Sequence, residues 1–138
     1  MLDREAQIEY LLDRYERPHH KRALPDADVS IEGGNPGCGD IVHLHLQFDG
    51  DRLVDVSFEG EGCTISQASA DILLDEVQGM TIEQLEGFTH EQLMEILGKE
   101  IVQNRTRCAM LSLDTLKQAL RRRYEERVRR SLDASAAD

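Results

Sequence analysis

Cysteine is scarce in this sequence: there are three in 138 residues, and no CxxC pair among them. Without that pair a thioredoxin-like redox site is excluded. An odd, small number of cysteines in a chain with no secretory signal predicts a reducing, cytoplasmic compartment. The opening MLDREAQIEYLLDRY is charged and amphipathic and lacks the apolar stretch and small-residue cleavage site of a signal peptide. Long hydrophobic runs are missing too, and none approaches the roughly 18 residues of a membrane-spanning helix. No GxGxxG or Walker pattern occurs. Positive charge is short overall, with a formal net charge of -11. It is also confined: residues 121–138 hold six arginines against four acids, for +2, which leaves -13 on the other 120 residues. An acidic body argues against nucleic-acid phosphate as the partner. The basic end reads as a solvated helix terminus whose cations suit the helix dipole.

What is present fits one globular domain spanning residues 1–138, with 40% hydrophobic and 31% charged residues. Leu2, Ala6, Ile8, Leu11, Leu12 and Tyr15 recur at helical spacing until Pro18. A connector with two prolines follows, then a short strand over 28–33. In DIVHLHLQFDGDRLVDVSFEG, Val42, Leu44, Leu46 and Phe48 alternate with polar residues, and Val54, Val56 and Phe58 do so after an Asp-Gly turn. That pattern predicts a β-hairpin with one buried face, which puts His43 and His45 on the wetter face. From Cys63 the periodicity is helical up to Gly79, and two short helices capped by Thr81 and Thr89 come next. Ala109, Leu113, Leu116, Ala119, Leu120, Tyr124 and Val128 predict a long C-terminal helix. The expected class is α+β: a small antiparallel sheet of about three strands with helices packed on it.

The cysteines stand in unusual settings. Cys38 lies in the glycine loop GGNPGCGD, and Asp40 follows at i+2, a spacing that aims both side chains the same way in extended or turn backbone. Cys63 follows Gly60 and Gly62 at a helix start, where unpaired N–H groups favour a thiolate. Cys108 also stands near a helix start, with Arg105 and Arg107 beside it. A set of three cysteines and one aspartate suits tetrahedral zinc or an iron–sulfur cluster, and spacing alone does not separate them. A Cys–His nucleophile is disfavoured because His19, His20, His43, His45 and His90 all lack a signature context. Purely structural zinc is disfavoured because a domain of this size has core enough without metal.

NPGCGD, FEGEGCTISQASADIL and RTRCAML resemble the three cysteine motifs of the U-type iron–sulfur assembly proteins, the family of IscU, SufU and the N-terminal part of NifU. LLDRYERPHHKRAL resembles the N-terminal helix and proline loop of the same family. The resemblance runs in order from about residue 5 to residue 125. It implies a scaffold that takes sulfur from a cysteine desulfurase as persulfide, builds a transient [2Fe–2S] cluster with iron and passes it to apo-proteins. By matching positions it implies Cys38, Cys63 and Cys108 as cluster or zinc ligands, Asp40 as the fourth or release-promoting ligand, and Cys108 as first sulfur acceptor. The alternative it leaves open is a zinc-dependent sulfur-transfer protein of the SufU kind. It also leaves open a monomer or a homodimer with the cluster between protomers.

Two places depart from the IscU branch. Arg107 stands where that branch has histidine, and a guanidinium is no ordinary metal ligand. Arginine there is nearer to SufU, yet the 45-residue spacing from Cys63 to Cys108 is nearer to IscU. IVQNRTRC lacks the Pro-Pro of the chaperone-read motif, so the resemblance does not extend to hand-off through that chaperone.

Overall fold

The structure is a computed structural model that describes residues 3–35 and 39–136. Helix α1 (Arg4–Glu16) starts at Asp3, whose carboxylate accepts the Ala6 N–H at 2.8 Å. Strands β1 (Val29–Asn35), β2 (Asp40–Asp49) and β3 (Arg52–Glu61) form an antiparallel sheet in the order β1-β2-β3. Then come α2 (Thr64–Val77), α3 (Ile82–Gly87), α4 (His90–Leu97), α5 (Lys99–Val102), a 3-10 turn (Gln103–Arg105) and the long α6 (Thr106–Ala136). The α+β class, the three antiparallel strands and the long final helix are as the sequence predicts. The short α5 and the 3-10 turn carry no periodic signal and were not anticipated. No helix among the described residues is long and apolar enough to cross a membrane.

Val42, Leu44, Leu46, Val56 and Phe58 point to one side of the sheet and are buried beneath α2 and α6. In β3 the predicted alternation fails at its start: Leu53 is buried and Val54 is exposed. The cause is a β-bulge. Gln47 pairs with Asp55 but Phe48 with Leu53, so Val54 is the extra residue and the strand changes face there. The far edge of β3 is covered by the connector, since Phe58 N–H donates to the His20 carbonyl and Arg22 N–H to the Phe58 carbonyl. On the other side α6 lies so close to β1 that a Cβ on Gly33 would collide with the Thr115 hydroxyl.

The exposed helix positions also depart from expectation. On α1, Leu11 is buried together with Arg14, while Ile8, Leu12 and Tyr15 face outward. On α6 packing stops at Leu120, and Tyr124 is 70% exposed. Arg14 is buried because its guanidinium meets the Asp71 carboxylate at 2.5 Å, and its Nε donates to Asp71 at 2.6 Å. Asp71 also accepts the backbone N–H groups of His19 and His20. One buried carboxylate on α2 thereby ties down both α1 and the proline connector.

Candidate metal centre

Three elements meet at one end of the sheet: the start of β2, the start of α2 and the start of α6. They bring Asp40, Cys63 and Cys108 together, with one ligand atom from each lying within 4.8 Å of the others. Cys38 lies outside the described residues. Cys63 is the N-cap of α2, and its Sγ accepts the Ser66 N–H at 3.4 Å while lying 4.0 Å from Asp40 Oδ2. The same sulfur is therefore held by a helix terminus and aimed at the carboxylate, with no side chain between them. Asp40 itself is 1% exposed, and its Oδ1 accepts the Cys63 backbone N–H at 2.8 Å.

Burial pushes the Asp40 carboxyl up. Hydrogen bonds from the Cys63 N–H, the Cys108 thiol, the Ser66 hydroxyl and the Cys63 thiol outweigh it and hold the group below the ordinary aspartate value. Asp40 is thus a carboxylate at neutral pH, kept charged by neutral donors. Gly62 makes the approach feasible: its φ is +152°, and a Cβ there would strike both the Asp40 carboxylate and the Ser66 hydroxyl.

Cys108 stands at a helix start, as its place in the sequence predicts, but its sulfur is not open to solvent. It is 2% exposed, in the first turn of α6, and the preceding 3-10 turn runs directly into that helix. Arg105 and Arg107 beside it are exposed and point to solvent. Cys63 is half-buried. Ser66 stands outside the sequence pattern above. Its single hydroxyl proton serves either the Cys63 carbonyl at 3.0 Å or the Asp40 carboxylate, and its oxygen accepts from Gln67 Nε2 at 3.2 Å. The available signal was its place three residues after the capping cysteine, where a side chain turns back toward the helix start.

The histidines are held elsewhere. His20 bonds Asp75 at 2.6 Å, His43 lies 3.4 Å from Glu32, His45 bonds Glu59 and His90 bonds Asp114. None joins a cysteine in a ligand cluster among the described residues. Two thiols and a carboxylate fit a thiophilic metal. Metal–thiolate bonds of about 2.3 Å put neighbouring ligand atoms no more than roughly 4.6 Å apart, close to the separation here. A carboxylate is a harder ligand than either thiolate, which makes the set asymmetric.

Comparison with known proteins agrees with this chemistry. The family model for the NifU-like N terminal domain matches residues 7–131. The zinc-dependent sulfurtransferase SufU of Bacillus subtilis is 42% identical over 73 residues, which are 53% of this chain and 49% of that protein, so the match spans about half its length. The iron–sulfur cluster assembly scaffold protein IscU of Streptococcus pyogenes is 32% identical over 127 residues, covering 80% of this chain and 79% of that one. A crystal structure of a candidate SUF-system scaffold from Fervidobacterium islandicum superposes with a TM-score of 0.70 at 30% identity, over 81% of this chain and 94% of its own. By the family match and the IscU relative, the chain belongs to the NifU-like N-terminal domain family.

Proposed function

We propose that the protein is a single U-type domain that assembles a transient [2Fe–2S] cluster from iron and desulfurase-derived sulfur and passes it to apo-proteins. The observation that supports this most is the convergence of Asp40, Cys63 and Cys108 from three separate elements onto one small volume. The cluster is cargo, held through Cys63 and Cys108 with Cys38 as the third thiolate and Asp40 as the weaker oxygen ligand. One hard ligand in an otherwise soft set lowers the barrier to release, as a scaffold requires.

Cys108 is the proposed first sulfur acceptor. Its thiolate attacks the terminal sulfur of the desulfurase persulfide, the S–S bond breaks, the desulfurase thiolate leaves and Cys108 carries the persulfide. Arg105 and Arg107, exposed while Cys108 is buried, favour the attacking thiolate once that sulfur is uncovered. Because Cys108 is buried, the step needs the α5–α6 junction to open, and its 3-10 turn is the kind of segment that serves as a hinge. Each sulfane sulfur takes up two electrons on becoming sulfide, partly from ferrous iron and the rest from an external reductant.

A second reading is favoured by Arg107 and the SufU match: a zinc-bound sulfur-transfer protein using the same residues. Anoxic reconstitution with iron, cysteine, a desulfurase and a reductant separates the two. Visible bands between about 320 and 460 nm, with iron and sulfide in equal amounts, support the scaffold. One tightly held zinc per chain, no bands and faster desulfurase turnover support sulfur transfer. A chain that binds neither iron nor zinc contradicts both.

A further inference from the structure

Two helices carry an apolar stripe that the other described residues leave uncovered. On α1, Ile8, Leu12 and Tyr15 are 37%, 45% and 42% exposed. On α6, Tyr124, Val128 and Leu132 are 70%, 39% and 65% exposed. Spacings of four and three residues on α1, and of four and four on α6, place each trio along one side of its helix. At 1.5 Å per residue each stripe is about 10–12 Å long, so the two match in length.

The charges beside them are opposite. Glu5, Glu9 and Glu16 border the α1 stripe and outnumber Arg4 there; none of the three makes an ion pair among the described residues. Arg121, Arg127 and Arg129 border the α6 stripe and outnumber Glu125, and they are equally unpaired. The two stripes of one chain do not cover each other, since both are exposed. Helix α6 is continuous to Ala136, its last buried residue is Leu120, and α1 packs against α2.

We propose that the C-terminal half of α6 docks on α1 of a second copy of this chain, apolar stripe on apolar stripe and arginines against glutamates. A twofold axis makes the contact reciprocal, so both stripes of both chains are covered. An arginine-rich amphipathic helix also suits an anionic bilayer. A bilayer, however, would repel the acidic body and leave the α1 stripe bare, whereas a second copy covers both. Cys108 lies 16 residues before Tyr124 on the same helix, about 24 Å away, so the dimer leaves the metal centre open. The inference needs no metal and stands apart from the proposed function.

Sedimentation of the metal-free full chain tests it. A dimer is expected at about 100 μM and low salt, dissociating as salt rises, since small charged interfaces bind in the micromolar range and are screened. Arg121→Glu with Arg129→Glu, and separately Glu9→Arg with Glu16→Arg, should each weaken dimerisation at least about tenfold. Mixing the two variants should restore a dimer, because both contacts regain opposite charges. These are surface changes, and unchanged far-UV circular dichroism checks that each variant is folded. A monomeric parent chain at that concentration overturns the proposal. So does a dimer indifferent to both variants, or a monomer whose α6 end binds anionic vesicles instead.

Discussion

Helix α2 presents two buried carboxylate sites that solve the same electrostatic problem in opposite ways. Beside its middle, Asp71 receives the Arg14 guanidinium and the backbone N–H groups of His19 and His20. At its N-terminus, Asp40 is just as buried but receives one backbone N–H, a serine hydroxyl and two thiols. Burying an ion costs several kcal/mol unless its partners repay it, and Arg14 is a full counter-charge where the thiols are not. The first site is complete in the protein alone. The second holds a negative charge beside two sulfurs and no full counter-charge among the described residues, the arrangement on which the proposed metal site rests. The contrast sets a carboxylate satisfied within the fold against the one proposed as a ligand.

The largest effect that would test this contrast is on stability. Asp71→Ala removes the buried partner of Arg14, leaves it only the half-exposed Asp75 and orphans two backbone N–H groups, and urea unfolding should show a loss of about 3–5 kcal/mol. Asp40→Ala should cost much less in the same experiment. Next is metal content. Cys63→Ala and Cys108→Ala should each weaken metal binding at least tenfold, while still loading with excess metal and changing stability by only about 1 kcal/mol. If either cysteine variant unfolds like Asp71→Ala, the metal centre is structural and the contrast fails. Asp40→Ala should then slow cluster loss from the loaded scaffold, because a harder ligand is removed from a soft set. Loss as fast as in the parent chain would remove the release role.

A smaller effect concerns pH. Burial pushes the Asp75 carboxyl up, but its hydrogen bond to His20 and its contacts with Arg14 prevail and hold it below the ordinary 3.8. A depressed folded value means the stabilisation is present above the unfolded value and is lost as pH falls through the folded one. The urea midpoint should therefore decline as pH drops below about 4, and Asp75→Asn should flatten part of that decline. An identical acid profile in the variant would show that Asp75 carries none of it.

Much of the fold was legible because it is local. The hairpin rests on alternation around an Asp-Gly turn, and α3 and α4 start at Thr81 and Thr89 with complete capping boxes. The bulge at Val54 was not legible, since a valine in an alternating run gives no sign of being the unpaired residue. Arg14 was hidden for a different reason: its partner is 57 residues away, so nothing nearby in sequence marks it as buried. The periodicity of α1 and α6 predicts helices, and it does not say which apolar face finds a neighbour. At the metal centre, glycines around Cys38 and Cys63 pointed to accessible sulfurs, and the family resemblance named the partners. The burial of Cys108 and the place of Ser66 depend on how α6 and α2 pack, which no local pattern encodes.

The central claim is that Cys63 and Cys108 bind the same metal or cluster. X-ray absorption at the metal edge of the loaded protein tests it directly, in the parent chain and in Cys108→Ala. Sulfur neighbours at about 2.3 Å are expected, with one fewer sulfur per site in the variant. A shell of nitrogen and oxygen alone, or a sulfur count that Cys108→Ala leaves unchanged, would contradict it.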